Sequence, residues 1–279
     1  MVKSIFVPLT GFDSDHPALE AAITLAKRFG AQIECLHVRL DPESALVLMT
    51  REASWKIERK EGQLSQKART VFEEALKRHD LATDGVGAVL KGVAMKWHEV
   101  EGFPLPEAVY HGRMNDLIVI ARDARLLPER VAEIVMQTGR PVLVAPAKPG
   151  QTIGETIAVA WKDTPESARA LTAAMPFLLK AQKVLLVAVQ EGLESEHGVR
   201  PSLDELRARL DLHGINAEIL ILTDVPVSIS ESILTAAYNH GCDLLVMGAY
   251  GHSRLREYVF GGVTQDMFIE CALPLLVFH

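Results

Sequence analysis

Asp116-Leu-Ile-Val-Ile-Ala121 and Asp243-Leu-Leu-Val-Met-Gly248 carry one pattern twice, an aspartate leading a short run of apolar residues without polar alternation. A continuous Val/Ile/Leu run of this length is what a strand covered on both faces by helices looks like, and such strands belong to parallel sheets. The same repeat extends outward in both directions. Upstream, Ile5 to Leu9 returns as Thr156 to Trp161, and Gln32 to Val38 returns as Lys183 to Val189. Downstream, each copy closes on a strand after a proline, Pro141 to Ala145 and Pro274 to Phe278.

Helical patterns fill the intervals. Pro17 to Phe29 and Pro165 to Leu179 follow the first strands, with proline near the first helical position, where its missing N–H costs nothing. Charged helices over Glu58 to His79 and Pro201 to Leu212 follow the second strands, then third strands over Gly85 to Leu90 and Ala217 to Leu222. Helices containing Leu105 to His111 and Ser228 to His240 precede the Asp-led strands. The reading is an α/β chain of two tandem doubly wound parallel five-stranded sheets flanked by helices, flavodoxin- or Rossmann-like, with domains over 1–148 and 153–279. A length of 279 residues suits two cores of ordinary size.

Composition narrows the function classes. No apolar stretch approaches the roughly 20 residues that span a bilayer, and Met1 to Thr10 has no signal-type pattern, so a cytoplasmic protein without membrane contact is expected. Residues 1–150 hold 20 basic and 20 acidic side chains, and residues 151–279 hold 9 and 16. An acidic half with scattered basic residues repels phosphodiester backbones, which speaks against nucleic-acid binding. Cys35, Cys242 and Cys271 are far apart among apolar neighbours and read as core residues rather than as a disulfide or metal framework.

In a doubly wound sheet, ligands sit beyond the carboxyl ends of the strands where the connections diverge. At that place the second half reads Met247-Gly248-Ala-Tyr-Gly251, then a loop with His252, Arg254 and Arg256, then Gly261-Gly262-Val263-Thr264 opening a helix to about Cys271. Glycine admits close backbone approach, and the free N–H groups of a helix start make an anion site. Thr264 adds a hydroxyl, and the basic cluster suits a polyphosphate. A lone glycine pair after a strand is otherwise a tight turn.

Gly248-x-x-Gly251 followed after nine residues by Gly261 resembles the nucleotide loop of the universal stress protein family. Met247 to Arg256, the helix-opening Gly261 to Thr264, and Ala160-Trp161 through Pro165 to Arg169 look like the tandem bacterial members, whose fold is of the adenine nucleotide alpha hydrolase type. The resemblance implies ATP or a related adenine nucleotide, with Mg²⁺ as its companion. It implies base and ribose near Ala160, Trp161, Lys162 and Val189, and phosphates near Gly248, Gly251, Gly261, Gly262, Val263 and Thr264. Met247, His252 and Arg254 complete the expected site. Two residues depart from the family pattern: Lys162 stands where many members have an acid, and Gly262 where many have Ser or Thr. Trp161 reads either as a stacking platform or as core, and Lys162 either as a phosphate ligand or as a solvated loop residue.

The first half has Thr10 at the acid position and Ala121-Arg-Asp-Ala-Arg-Leu-Leu-Pro128 where the glycines should be, so it is expected to be structural. Asp41 to Glu61 reads as a long connection, either a cover for the crevice or a passive insertion. HExxH, Walker A and GxSxG patterns do not occur, and no catalytic residues are assigned. Three functions compete: a nucleotide-responsive stress protein with an unknown protein partner, a nucleotide-independent interaction module, and a weak ATPase or phosphotransferase using His252 and Asp266. The resemblance further implies an intramolecular pseudo-dimer, alone or in a homodimer.

Overall fold

The computed structural model describes residues 1–40, 51–83, 92–122, 128–148, 150–190, 199–223, 228–249 and 262–279. They divide into two compact units, Met1–Ala147 and Lys148–His279.

The first unit runs β1 (Ser4–Leu9), α1 (Asp15–Phe29), β2 (Gln32–Leu40), α2 (Arg51–His79), β3 (Ala82–Thr83), β4 (Ala94–Gly102), α3 (Pro104–Gly112), β5 (Leu117–Ala121), α4 (Pro128–Thr138) and β6 (Val142–Ala145). Its strands lie in the order β3-β4-β2-β1-β5-β6, paired in parallel. The second unit runs β7 (Thr156–Ala160), α5 (Pro165–Leu178), β8 (Lys183–Val189), α6 (Arg200–Asp211), β9 (Ala217–Leu222), α7 (Ile229–Asn239), β10 (Leu244–Gly248), α8 (Gly262–Glu270) and β11 (Leu275–Phe278). Its order is β9-β8-β7-β10-β11, again parallel. In each unit the first strand lies between the second and the Asp-led strand, so the chain reverses its winding there and opens a switch-point crevice.

The two aspartates that lead the repeated strands perform the same task. Asp116 Oδ2 accepts from Lys3 N at 2.7 Å and Ser4 N at 3.1 Å. Asp243 accepts from Gly154 N and Thr156 N at 3.0 Å each and from Glu155 N at 3.1 Å. Each carboxylate satisfies backbone donors at the start of the neighbouring strand and sets its register. Buried Phe6, Ile5, Leu19, Leu25 and Leu117 fill the first core, and Phe177, Val187, Leu203, Leu245 and Met267 the second.

Three expectations are corrected. The long third strand of the first unit is β4, Ala94–Gly102, which pairs with β2 from Ile33 to Leu40; the expected strand at Gly85 to Leu90 falls outside the described residues. Lys96, Glu99 and Glu101 hid β4 from a search for apolar runs. Arg39 on β2 offsets that charge, meeting Glu99 at 2.9 Å and Glu101 at 2.6 Å. The expected long connection over Asp41 to Glu61 is helical from Arg51 onward, because α2 extends 29 residues. Finally, α1 begins at Asp15, which puts Pro17 at its third position rather than its first.

Candidate functional site

In the second unit the carboxyl end of the sheet is built first by β7. Its ladder continues one residue past the strand, with Trp161 N donating to Val187 O at 2.7 Å. The chain then turns: Thr164 N donates to Lys162 O at 2.7 Å, and Thr164 Oγ1 caps α5 by accepting from Ser167 N at 3.3 Å. The backbone N–H of Lys162 is held by Ser167 Oγ at 3.4 Å, while its side chain is exposed. Trp161 is half-buried, and its indole Nε1 is buried without a hydrogen-bond partner among the described residues. An indole only donates, so this group presents one donor at the strand end.

Gly248 ends β10, adjoining Met247, which pairs with Ala160. A Cβ at Gly248 would stand 2.6 Å from Glu166 C and Ser167 N and 2.8 Å from Glu166 O. The missing side chain lets β10 press against the first turn of α5. That packing explains Gly248 independently of any phosphate. Beyond it, Ala249 N donates to Phe278 O at 2.9 Å, extending the β10–β11 ladder.

The helix α8 links parallel strands, so its N-terminus lies at the carboxyl end of the sheet. Gly262 is exposed, and among the described residues a Cβ there would meet nothing within 4 Å. Packing against those residues does not require this glycine. The N–H groups of Gly262, Val263 and Thr264 occupy the first turn, where a helix supplies no partners of its own and its dipole is positive. Val263 is half-buried and Thr264 is buried. Val189, which ends β8 and pairs with Leu222, stands at the same end of the sheet as Ala160. Gly251, His252, Arg254 and Gly261 lie outside the described residues.

In the first unit the turn after β1 is held from both sides by its own chain. Asp15, 2% exposed, accepts from Thr10 N at 2.9 Å, Thr10 Oγ1 at 2.8 Å and Gly11 N at 2.7 Å. Burial pushes its carboxyl above the ordinary aspartate range, against those donors and the nearby His37. Gly11 has φ +79°, and a Cβ there would overlap the backbone of Leu64, so α2 lies directly on the turn after β1. Under α2, Trp97 stacks on buried His37 at 6.3 Å, and Arg69 Cζ lies 5.2 Å from the Trp97 ring centre. His37 is fixed by Nδ1 against Leu9 O at 2.8 Å. In the second unit Ser167 takes the place of Asp15, five residues beyond the loop amide that it holds.

Sequence reading missed Asp15, Trp97, Ser228 and Ser230. The last two had a signal, a serine ahead of an apolar helical run. Among the described residues there is no group of three His, Cys, Asp or Glu that could hold a metal ion, and no helix long and apolar enough to cross a membrane.

Known proteins resemble both halves. The sequence model of the Universal stress protein family matches residues 1–131 and again 155–279. Universal stress protein Slr1230 of Synechocystis is 39% identical over 49 residues, 18% of this chain and 17% of that protein. Universal stress protein MJ0577 of Methanocaldococcus jannaschii is 27% identical over 75 residues, 27% of this chain and 44% of its own length. This chain's matches thus span less than half of either relative. A universal stress protein structure from Archaeoglobus fulgidus is similar with a TM-score of 0.70 at 15% identity, covering 99% of this chain and 97% of that one. At that identity the likeness speaks for the fold. With the family pattern found once in each half, over two units of the same topology, this chain belongs to the universal stress protein family as a tandem two-domain member.

Proposed function

We propose that the second unit binds ATP or a related adenine nucleotide and that occupancy is read by a protein partner. The observation carrying this reading is Gly262 at the start of α8, where a Cβ would meet nothing within 4 Å among the described residues and packing against them gives no reason for its lack of a side chain. In this reading the phosphates take the N–H groups of Gly262, Val263 and Thr264, with Gly251, Gly261, His252 and Arg254 beside them and Mg²⁺ as counter-ion. The base lies against Ala160, Trp161, Lys162 and Val189, where the unpartnered Trp161 Nε1 donates to a ring nitrogen. Met247 and Gly248 form the floor. The first unit, with Leu64 over Gly11 and the Asp15 carboxylate turned inward, serves as a structural partner.

The test is mass spectrometry of small molecules released from the undenatured protein, then calorimetric titration with what is found. Recovered ATP, ADP or AMP, lost on Gly262→Glu, supports the reading. A protein that is empty and ignores millimolar ATP sinks it.

A second reading, an interaction module independent of nucleotide, is favoured by Gly248, whose absent side chain is accounted for by α5. Partner capture unchanged by Gly262→Glu would speak for it. Hydrolysis draws no support from Asp266, whose Oδ2 already accepts from Ser230.

A further inference from the structure

Ser230 in α7 is fully buried, and its hydroxyl donates to Asp266 Oδ2 in α8 at 3.0 Å. Ser230 Oγ also lies 2.9 Å from Ser228 Oγ. Because Ser230 has one proton and directs it to the carboxylate, the proton between the two serines belongs to Ser228. Ser228 in turn accepts from Glu231 N at 3.1 Å as the cap of α7. The result is a directed chain from the α7 cap to α8, Ser228 to Ser230 to Asp266, ending on an anion.

Both helices run against the strands, so both N-termini stand at the carboxyl end of the second sheet. Asp266 is the fifth residue of α8, one turn from Gly262. We infer that Asp266 is a positioning residue, whose carboxylate ties the opening turn of α8 to α7 through Ser230 and so fixes where the Gly262, Val263 and Thr264 N–H groups point. This rests on the nucleotide reading above. The positive end of α7 offsets the charge of Asp266, which limits its repulsion of an anion at the start of α8. Breaking the tie exchanges a charged acceptor of the Ser230 hydroxyl for the neutral Ser228 hydroxyl, a weaker bond, so the two helix starts hold together as one piece.

The experiment uses the full chain as wild type, Asp266→Asn, Asp266→Ala, Ser230→Ala and Ser230→Ala/Asp266→Ala. Each is measured by ATP calorimetry and by hydrogen exchange of the α8 amides. Asn retains an acceptor for Ser230 and loses the charge, so Asp266→Asn binds ATP as well as wild type or better. Asp266→Ala and Ser230→Ala each weaken binding about tenfold, the size expected from one charge-assisted hydrogen bond. The double variant is no worse than Asp266→Ala alone, since both remove one interaction. Exchange at Asp266 to Phe268, whose N–H groups bond the carbonyls of the opening turn of α8, speeds up in the Ala variants and not in Asp266→Asn. Alanine variants that bind and exchange as wild type would overturn the inference, as would an Asn variant as poor as Ala. If wild type binds no ATP, the nucleotide reading fails, and exchange alone decides: faster in the Ala variants supports the tie, unchanged rejects it.

Discussion

Replacing Gly248 by alanine places a methyl group 2.6 Å from Glu166 C and Ser167 N and 2.8 Å from Glu166 O. Carbon contacts are comfortable at about 3.5–4.0 Å, so the overlap is close to 1 Å. The atoms met are backbone in the first turn of α5, held by the Thr164 cap, and cannot rotate aside. Overpacking costs about 1–3 kcal/mol, and contact with a capped helix backbone belongs at the upper end. For a unit of this size each kcal/mol lowers the midpoint by roughly 4 °C, so Gly248→Ala should melt about 10 °C below wild type. Gly262→Ala, with nothing within 4 Å among the described residues, is the matched control and should stay within about 2 °C. Differential scanning calorimetry of the second unit's transition, with and without ATP, measures both. A Gly248→Ala protein as stable as the control would refute the packing explanation of that glycine.

Other outcomes follow from single contacts. Asp116→Ala and Asp243→Ala each free backbone donors at the start of a strand and should cost about 2 kcal/mol in denaturant titration. Burial pushes the Cys35 thiol far up and that of Cys242 up to about 11, and Cys271 is buried too. All three should therefore resist maleimide in the native protein and label on unfolding. Burial also raises the Asp15 carboxyl, so the folded chain takes up that proton more readily than the unfolded one. The group's contribution is then full below the unfolded aspartate value of about 4 and is lost as pH rises through the folded value. The stability difference between wild type and Asp15→Ala should accordingly be larger at pH 4 than at pH 7 in urea titrations, and the reverse slope would mean that the Thr10 and Gly11 donors outweigh burial.

Most of the architecture was legible because its inner strands are buried on both faces and nearly all apolar, as Lys183–Val189 is, and because even the half-buried edge strand Ala217–Leu222 carries an Ile/Leu run; both stand where the residues placed them. The strand left unread was β4, where Glu99 and Glu101 obey cross-strand pairing with Arg39 rather than burial, a rule that acts between segments and leaves no local pattern. The start of α2 was missed for a similar reason, since its first residues are polar and weakly periodic. At the site, the glycines were visible but their reasons were not. Gly248 and Gly262 look alike in sequence, yet one is pressed against α5 and the other stands in the open. The packing of the turn after β1 in the first unit depends on Leu64 meeting Gly11, residues 53 apart, and on Asp15 folding back on Thr10.

The most direct measurement is an ATP titration followed by the backbone amide resonances of the whole chain. The account predicts saturable shifts at Gly262, Val263 and Thr264 and at Trp161 and Lys162, none at Thr10 and Gly11, and loss of the response on Gly262→Glu. Shifts confined to the first unit, or no shift at millimolar ATP, would contradict it.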